Sequence, residues 1–112
     1  MKMIRVFSVL IFLLAGSSFA QEEAHIPNII TPNGDNINDL FSIRTVGYDG
    51  LTCTIFNRYG EPVYRFFGLN GSWDGFTHAG IKVSSGTYFV LVELELPNGE
   101  IVTQQGTLQV NY

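Results

Sequence analysis

Five oxygen-bearing side chains crowd one short stretch of the chain: Asn33, Asp35, Asn36, Asn38 and Asp39, within "TPNGDNIND" (Thr31 to Asp39). Oxygens at alternating places around a glycine could wrap a calcium ion, which takes about six to eight ligands from carboxylates, amides and carbonyls. The segment is only partly like a calcium loop. It lacks a closing bidentate glutamate, and only Asp35 and Asp39 carry charge. The same residues could instead build a turn. Pro32 fixes φ, Gly34 opens the turn, and Asp35 and Asn38 can bond local backbone N–H groups. Composition alone leaves turn and ion both open.

Other chemistry is thinner. His25 stands near the start of the working chain and His78 in a loop beside Thr77 and Ala79, so each reads as a solvated loop histidine. No G-x-S-x-G elbow, P-loop or H-E-x-x-H is present. Glu93 and Glu95 point the same way along one alternating stretch, which describes a wet strand face better than a glycosidase pair. Two histidines and one cysteine do not make a four-ligand zinc site. These residues predict a protein that is not an enzyme and has no small-molecule substrate. Trp73-Asp74-Gly75 could be a carbohydrate platform. It reads better as a core plug beside a turn, the indole filling the sandwich end and the aspartate accepting backbone N–H bonds. Asn57-Arg58-Tyr59-Gly60 reads as a hairpin turn, with Gly60 supplying positive φ.

The chain that must position these residues starts late. Lys2 and Arg5 precede an apolar run from Val6 to Ala15, and Ser18-Phe19-Ala20 offers small residues for a peptidase, the pattern of a secretory signal peptide over residues 1–20. An uncleaved membrane anchor is the alternative, although the apolar core is short for one. About ninety of the 112 residues remain, enough for one domain. Gln21 to His25 reads as a short flexible lead, and 26–112 as the folded unit. Removing Lys2 and Arg5 from six cations leaves four against ten carboxylates. Such an acidic exported domain is a poor partner for nucleic acid or an anionic membrane surface. The single Cys53 forms no internal disulfide and reads as a buried small hydrophobe.

No long stretch carries apolar residues at helical spacing. In "LTCTIFN" Leu51, Cys53 and Ile55 share a face. In "TYFVLVELEL" Tyr88, Val90, Val92 and Leu94 point inward, while Phe89 and Leu91 lie on the face of Glu93 and Glu95. Asn98-Gly99 signals a tight hairpin, and the return strand puts Val102, Leu108 and Val110 on one face. Short strands are predicted near 28–31, 40–44, 51–57, 62–67, 81–83, 87–96 and 100–110. The pattern predicts an all-β fold, an antiparallel β-sandwich of about seven strands.

Taken in order, "IPNIITPNGDNINDLF", "IFNRYGEPVY", "WDG", "SGTYFVLVE" and "GTLQV" resemble the gliding motility-associated C-terminal domain, the type B sorting domain of the bacterial type IX secretion system. The likeness spans residues 26–112. It implies an immunoglobulin-like sandwich acting as an address: cargo crosses the inner membrane by its signal peptide, and the folded domain is then recognised by outer-membrane translocon components for delivery to the cell surface or medium. The resemblance singles out Thr31, Pro32, Asn33, Gly34, Asp35, Asn38 and Asp39, and Asn57, Arg58, Tyr59 and Gly60, as residues needed by the fold or by the machinery. Trp73, Asp74 and Gly75 form the third motif. The family mostly has glycine at Asn36 and tryptophan at Tyr59; asparagine tolerates left-handed backbone, and tyrosine keeps an aromatic plug. In the family the domain follows a large cargo, whereas here only Gln21 to His25 precede it. The address is then the whole product, or the chain comes from a truncated or split gene, with a separate cargo polypeptide as a partner to test for. The competing expectation is a small calcium-stabilised cell-surface binding domain on the same fold.

Overall fold

The computed structural model describes residues 24–112; the expected signal peptide and most of the expected lead lie outside the described residues. Seven strands are present among these residues: β1 (Ile29–Ile30), β2 (Phe41–Ser42), β3 (Gly50–Phe56), β4 (Pro62–Phe67), β5 (Ser72–Trp73), β6 (Gly86–Glu95) and β7 (Ile101–Val110). They form a five-stranded sheet, ordered β1-β7-β6-β3-β4, and a two-stranded sheet of β2 and β5.

The period-two pattern explains the large sheet. In register, Cys53 of β3 lies between Phe66 of β4 and Val92 of β6, and Ile55 between Tyr64 and Val90. Tyr88 faces Leu108. These inward side chains are the core, joined from the second layer by Phe41, Ile43 and Trp73. The hairpin from β6 to β7 falls where Asn98-Gly99 predicts it, but not as a two-residue type I′ turn: only Gly99 has positive φ, the Leu96 N–H donates to the Glu100 carbonyl, and the Leu96 carbonyl accepts the Gly99 N–H at 2.9 Å. Val102 shares the inward face, yet it is 38% exposed at the hairpin end of β7.

Three further expectations need correction. The sandwich is not wholly antiparallel, because β1 runs parallel to β7. Its bonds are the evenly spaced, slanted kind, Gln109 N–H to the Asn28 carbonyl and Asn111 N–H to the Ile30 carbonyl. The strand predicted at 81–83 is only an isolated bridge, Phe76 to Lys82. The fifth strand is instead Ser72–Trp73, whose partner Phe41 brings two large aromatic residues side by side. Finally, the end of the expected flexible lead is held in the fold. His25 pairs with Arg44, and the Gln104 side-chain amide takes both the N–H and the carbonyl of Ala24, at 2.8 and 3.2 Å.

That clasp accounts for a break in the pattern of β7. Gln104 and Gly106 lie on its inward face, where apolar residues are expected. The 24–26 segment crosses there, and a Cβ added at Gly106 would stand 3.3 Å from Ile26 Cγ2. An amide and a bare backbone are what a crossing main chain needs.

Cys53 is fully buried, and burial pushes its thiol pKa up from 9.0 to about 12. Below pH 9 both folded and unfolded chains keep this proton, so its contribution to stability is intact. Between about 9 and 12 only the unfolded chain ionises, and stability falls with rising pH. Urea midpoints measured across this range are expected to fall, less steeply in Cys53→Ala. At neutral pH an aromatic disulfide reagent is expected to react with Cys53 only after unfolding.

Candidate recognition end

The strand register carries two of the sequence motifs to one end of the large sheet, and Gly75 of the third lies there against Pro32. β3 ends opposite the start of β6, with Phe56 beside Phe89. Gly86 faces Val110, and Ile30 lies alongside Val110. The 31–39 loop, the 57–60 turn, the 82–86 segment and Tyr112 therefore leave the sheet in the same neighbourhood.

The 31–39 loop folds around one carboxylate. Asp39 Oδ1 accepts the N–H groups of Asn33 and Gly34 at 3.2 and 3.3 Å, and its Oδ2 accepts that of Asn36 at 2.8 Å. Asn33 Oδ1 takes the Asp35 N–H, and Asp35 Oδ1 takes the Ile37 N–H. The Thr31 N–H donates to the Asn38 carbonyl and its hydroxyl to the Ile37 carbonyl, closing the loop. Asn36 and Asn38 take the left-handed region, with φ of 67° and 54°, which asparagine tolerates better than most residues. Of the oxygens proposed as ligands, those of Asn33, Asp35 and Asp39 thus act as acceptors for the loop's own backbone. Asn38 differs from expectation, since its main-chain carbonyl makes the closing contact.

Trp73 is the expected plug, with 1% of its surface exposed. Its indole N–H donates to the Phe76 carbonyl at 2.8 Å, and its ring lies near those of Tyr64 and Tyr88. Asp74 Oδ1 accepts the Phe76 N–H, so the corner is an Asx turn. Gly75 joins this corner to the first motif. It has φ of +90°, and an added Cβ would meet Pro32 Cγ at 3.2 Å and Tyr112 Oη at 3.5 Å. The Tyr112 hydroxyl donates to the Val83 carbonyl at 2.7 Å, with the Lys82 ammonium 4.1 Å from its ring centroid. Burial, then the neighbouring Tyr88 and Asp74, raise the Tyr112 pKa. Nothing in the alternation of the sequence marks Tyr112 or Lys82.

Asn57 organises the second motif. Its Oδ1 accepts the N–H groups of Tyr59 and Glu61, and the Gly60 N–H reaches its carbonyl. Tyr59 is not the aromatic plug that the resemblance implies. It is 74% exposed, and the Arg58 guanidinium lies 5.2 Å above its ring. His78 is an exposed loop residue, as the solvated reading expects, and it makes two contacts that the reading did not include. Its Nε2 accepts the Arg65 N–H at 3.0 Å, covering a donor on the free edge of β4, and its ring stacks on Tyr64. His25 acts through its backbone in the bridge to Arg44.

A tight sandwich end made of turns whose polar groups bond their own backbone completes a β-sandwich domain. Its fold is similar to that in the crystal structure of CopC from Methylosinus trichosporium OB3b, with a TM-score of 0.54 and 16% identity over 81% of this chain and 91% of that one. No curated protein sequence matches it. The family model described as CHU_C Type IX secretion signal domain matches residues 24–110, and the chain belongs to that family. It is a C-terminal sorting domain, non-catalytic, that addresses its protein to the type IX secretion machinery for export to the cell surface or medium. The match begins at Ala24, the residue clasped by Gln104.

Asp39→Ala removes the acceptor of three N–H groups and is expected to cost about 1–3 kcal/mol, with a smaller loss for Asp39→Asn, which keeps one acceptor oxygen. Urea denaturation followed by circular dichroism checks both. A midpoint unchanged in the alanine variant would show that the carboxylate does not organise the loop.

Proposed function

We propose that outer-membrane translocon components read this domain in its folded state, at the sheet end where "TPNGDNIND", "NRYG" and "WDG" converge. The carrying observation is that convergence. Pro32 packs on Gly75, Tyr112 ties the corner to Val83, and the 57–60 turn borders the same 82–86 segment. Residues far apart in sequence make one surface that exists only after folding, as a label read on a folded cargo requires. Residues 1–20 would direct the chain across the inner membrane first.

A fusion of Ala24–Tyr112 to the end of a passenger bearing its own signal peptide tests this reading in a host with the secretion system. The passenger is expected on the surface or in the medium, and in the periplasm when the translocon is deleted. Periplasmic retention in the intact host contradicts the proposal.

The 31–39 loop, in this reading, serves as a self-sufficient turn with no calcium. The support is that both Asp39 oxygens already accept backbone N–H groups. A melting temperature equal in millimolar calcium and in chelator is expected. A stabilising site filled at about a hundredfold its Kd would add about 2.7 kcal/mol, and a rise of several degrees with calcium would restore the ion.

A further inference from the structure

Between the 57–60 turn and the start of β6 lies a groove of about 310 Å³, lined among others by Arg58, Lys82, Ser84, Ser85, Thr87 and Tyr88. We propose that this groove is an anion-recognition site that takes a carboxylate side chain from an acidic segment of a polypeptide partner. The proposal deepens the sorting reading and rests on it for the partner's identity as part of the secretion machinery.

The charge distribution carries the argument. Residues 24–112 hold four cationic side chains, Arg44, Arg58, Arg65 and Lys82. Two of the four line this groove, and no carboxylate does. The closest acidic neighbours in sequence each bond a neighbouring group: Glu61 Oε1 accepts from the Asn57 amide, and Asp74 Oδ1 accepts the Phe76 N–H. The Arg58 guanidinium lies 5.2 Å from the Tyr59 ring centroid, with its Nη2 donating to the Tyr59 hydroxyl at 3.3 Å. A guanidinium restrained by these two contacts keeps further N–H edges for a planar carboxylate, at less entropic cost than a free side chain. Lys82 is restrained by the Tyr112 ring, and the serines and threonine add short hydroxyl donors. The volume suits one or two side chains, not a folded element.

The rest of the domain excludes alternatives. Outside the groove the described residues carry eight carboxylates against Arg44 and Arg65, so charge favours docking of an acidic partner at the groove as well as adding attraction. An acidic glycan shares the carboxylate but fits less well. A sugar ring would seek the exposed face of Tyr59, and Arg58 already occupies one side of that ring.

The test is an NMR titration of the purified protein with a blocked poly-glutamate peptide, a blocked poly-glutamine peptide of equal length, and an oligogalacturonate. Poly-glutamate alone is expected to move the Arg58 side-chain N–H and the amides of 82–87, with the response fading at high salt. Arg58→Gln and Lys82→Gln are each expected to weaken binding about tenfold, with spectra elsewhere unchanged. No response, an equal response to poly-glutamine, shifts centred on Arg44 or Arg65, a stronger response to oligogalacturonate, or full affinity in the double variant would each overturn the site. No secretion step enters the titration, so the two failures separate. A blank titration with an exported fusion removes the groove alone. A positive titration with a retained fusion removes the sorting reading and leaves the groove.

Discussion

The domain depends on how a five-stranded sheet is covered by a second layer of only two short strands. Two residues of β2 and two of β5 cannot hide such a face with aliphatic side chains. Trp73 and Phe41 do it by size: they pair directly across the small sheet, and both are almost wholly buried. Phe66 meets Phe41 edge to face, and Tyr64 and Tyr88 flank the indole. Each large side chain removed from water contributes about 1.5–3 kcal/mol, so a handful of aromatics replaces the missing strands. The indole N–H would be a costly orphan there, and the Phe76 carbonyl accepts it. That single bond ties the plug to the corner carrying Asp74 and Gly75, and through Pro32 and Tyr112 to the loop around Asp39.

Function follows from what this arrangement leaves outside. The polar side chains of the turns are largely turned back onto their own backbone, which gives loops of fixed shape. A rigid, non-catalytic end suits a module read by another protein, since little ordering entropy is lost on binding. The same residues hold the fold and shape the surface, so a purely functional list cannot be separated from a structural one at Asp39 or Asn57. Arg58, 5.2 Å from the centroid of an exposed ring, holds no part of the core.

Much of this was legible in the sequence. Alternation in "LTCTIF" and "TYFVLVELEL" placed β3 and β6 with the correct inward faces, and Asn98-Gly99 placed β7 as the hairpin partner of β6. The plug role of Trp73 and the Asx turn at Asp74 were also readable, because both follow from local chemistry. What alternation could not show was anything set by a distant crossing. Gln104 and Gly106 look like errors in β7 until the 24–26 segment is seen lying over them. The parallel pairing of β1 and the shift of the fifth strand from 81–83 to Ser72–Trp73 depend on tertiary fit, since strands of two residues carry no period. Tyr59 was misplaced because position in a motif says nothing about which way a ring points. Tyr112 and His78 act through single long-range bonds to backbone atoms, for which sequence has no signature.

Trp73 is the only tryptophan in the chain, so its fluorescence reports the plug alone. Iodide quenching in native buffer, compared with the same protein in concentrated urea, tests the architecture most directly. A blue-shifted emission, untouched by iodide until the chain unfolds, is the predicted result. A red-shifted native emission quenched as readily as the unfolded chain would mean that the second layer does not close over the sheet. The end surface built upon it would then not exist.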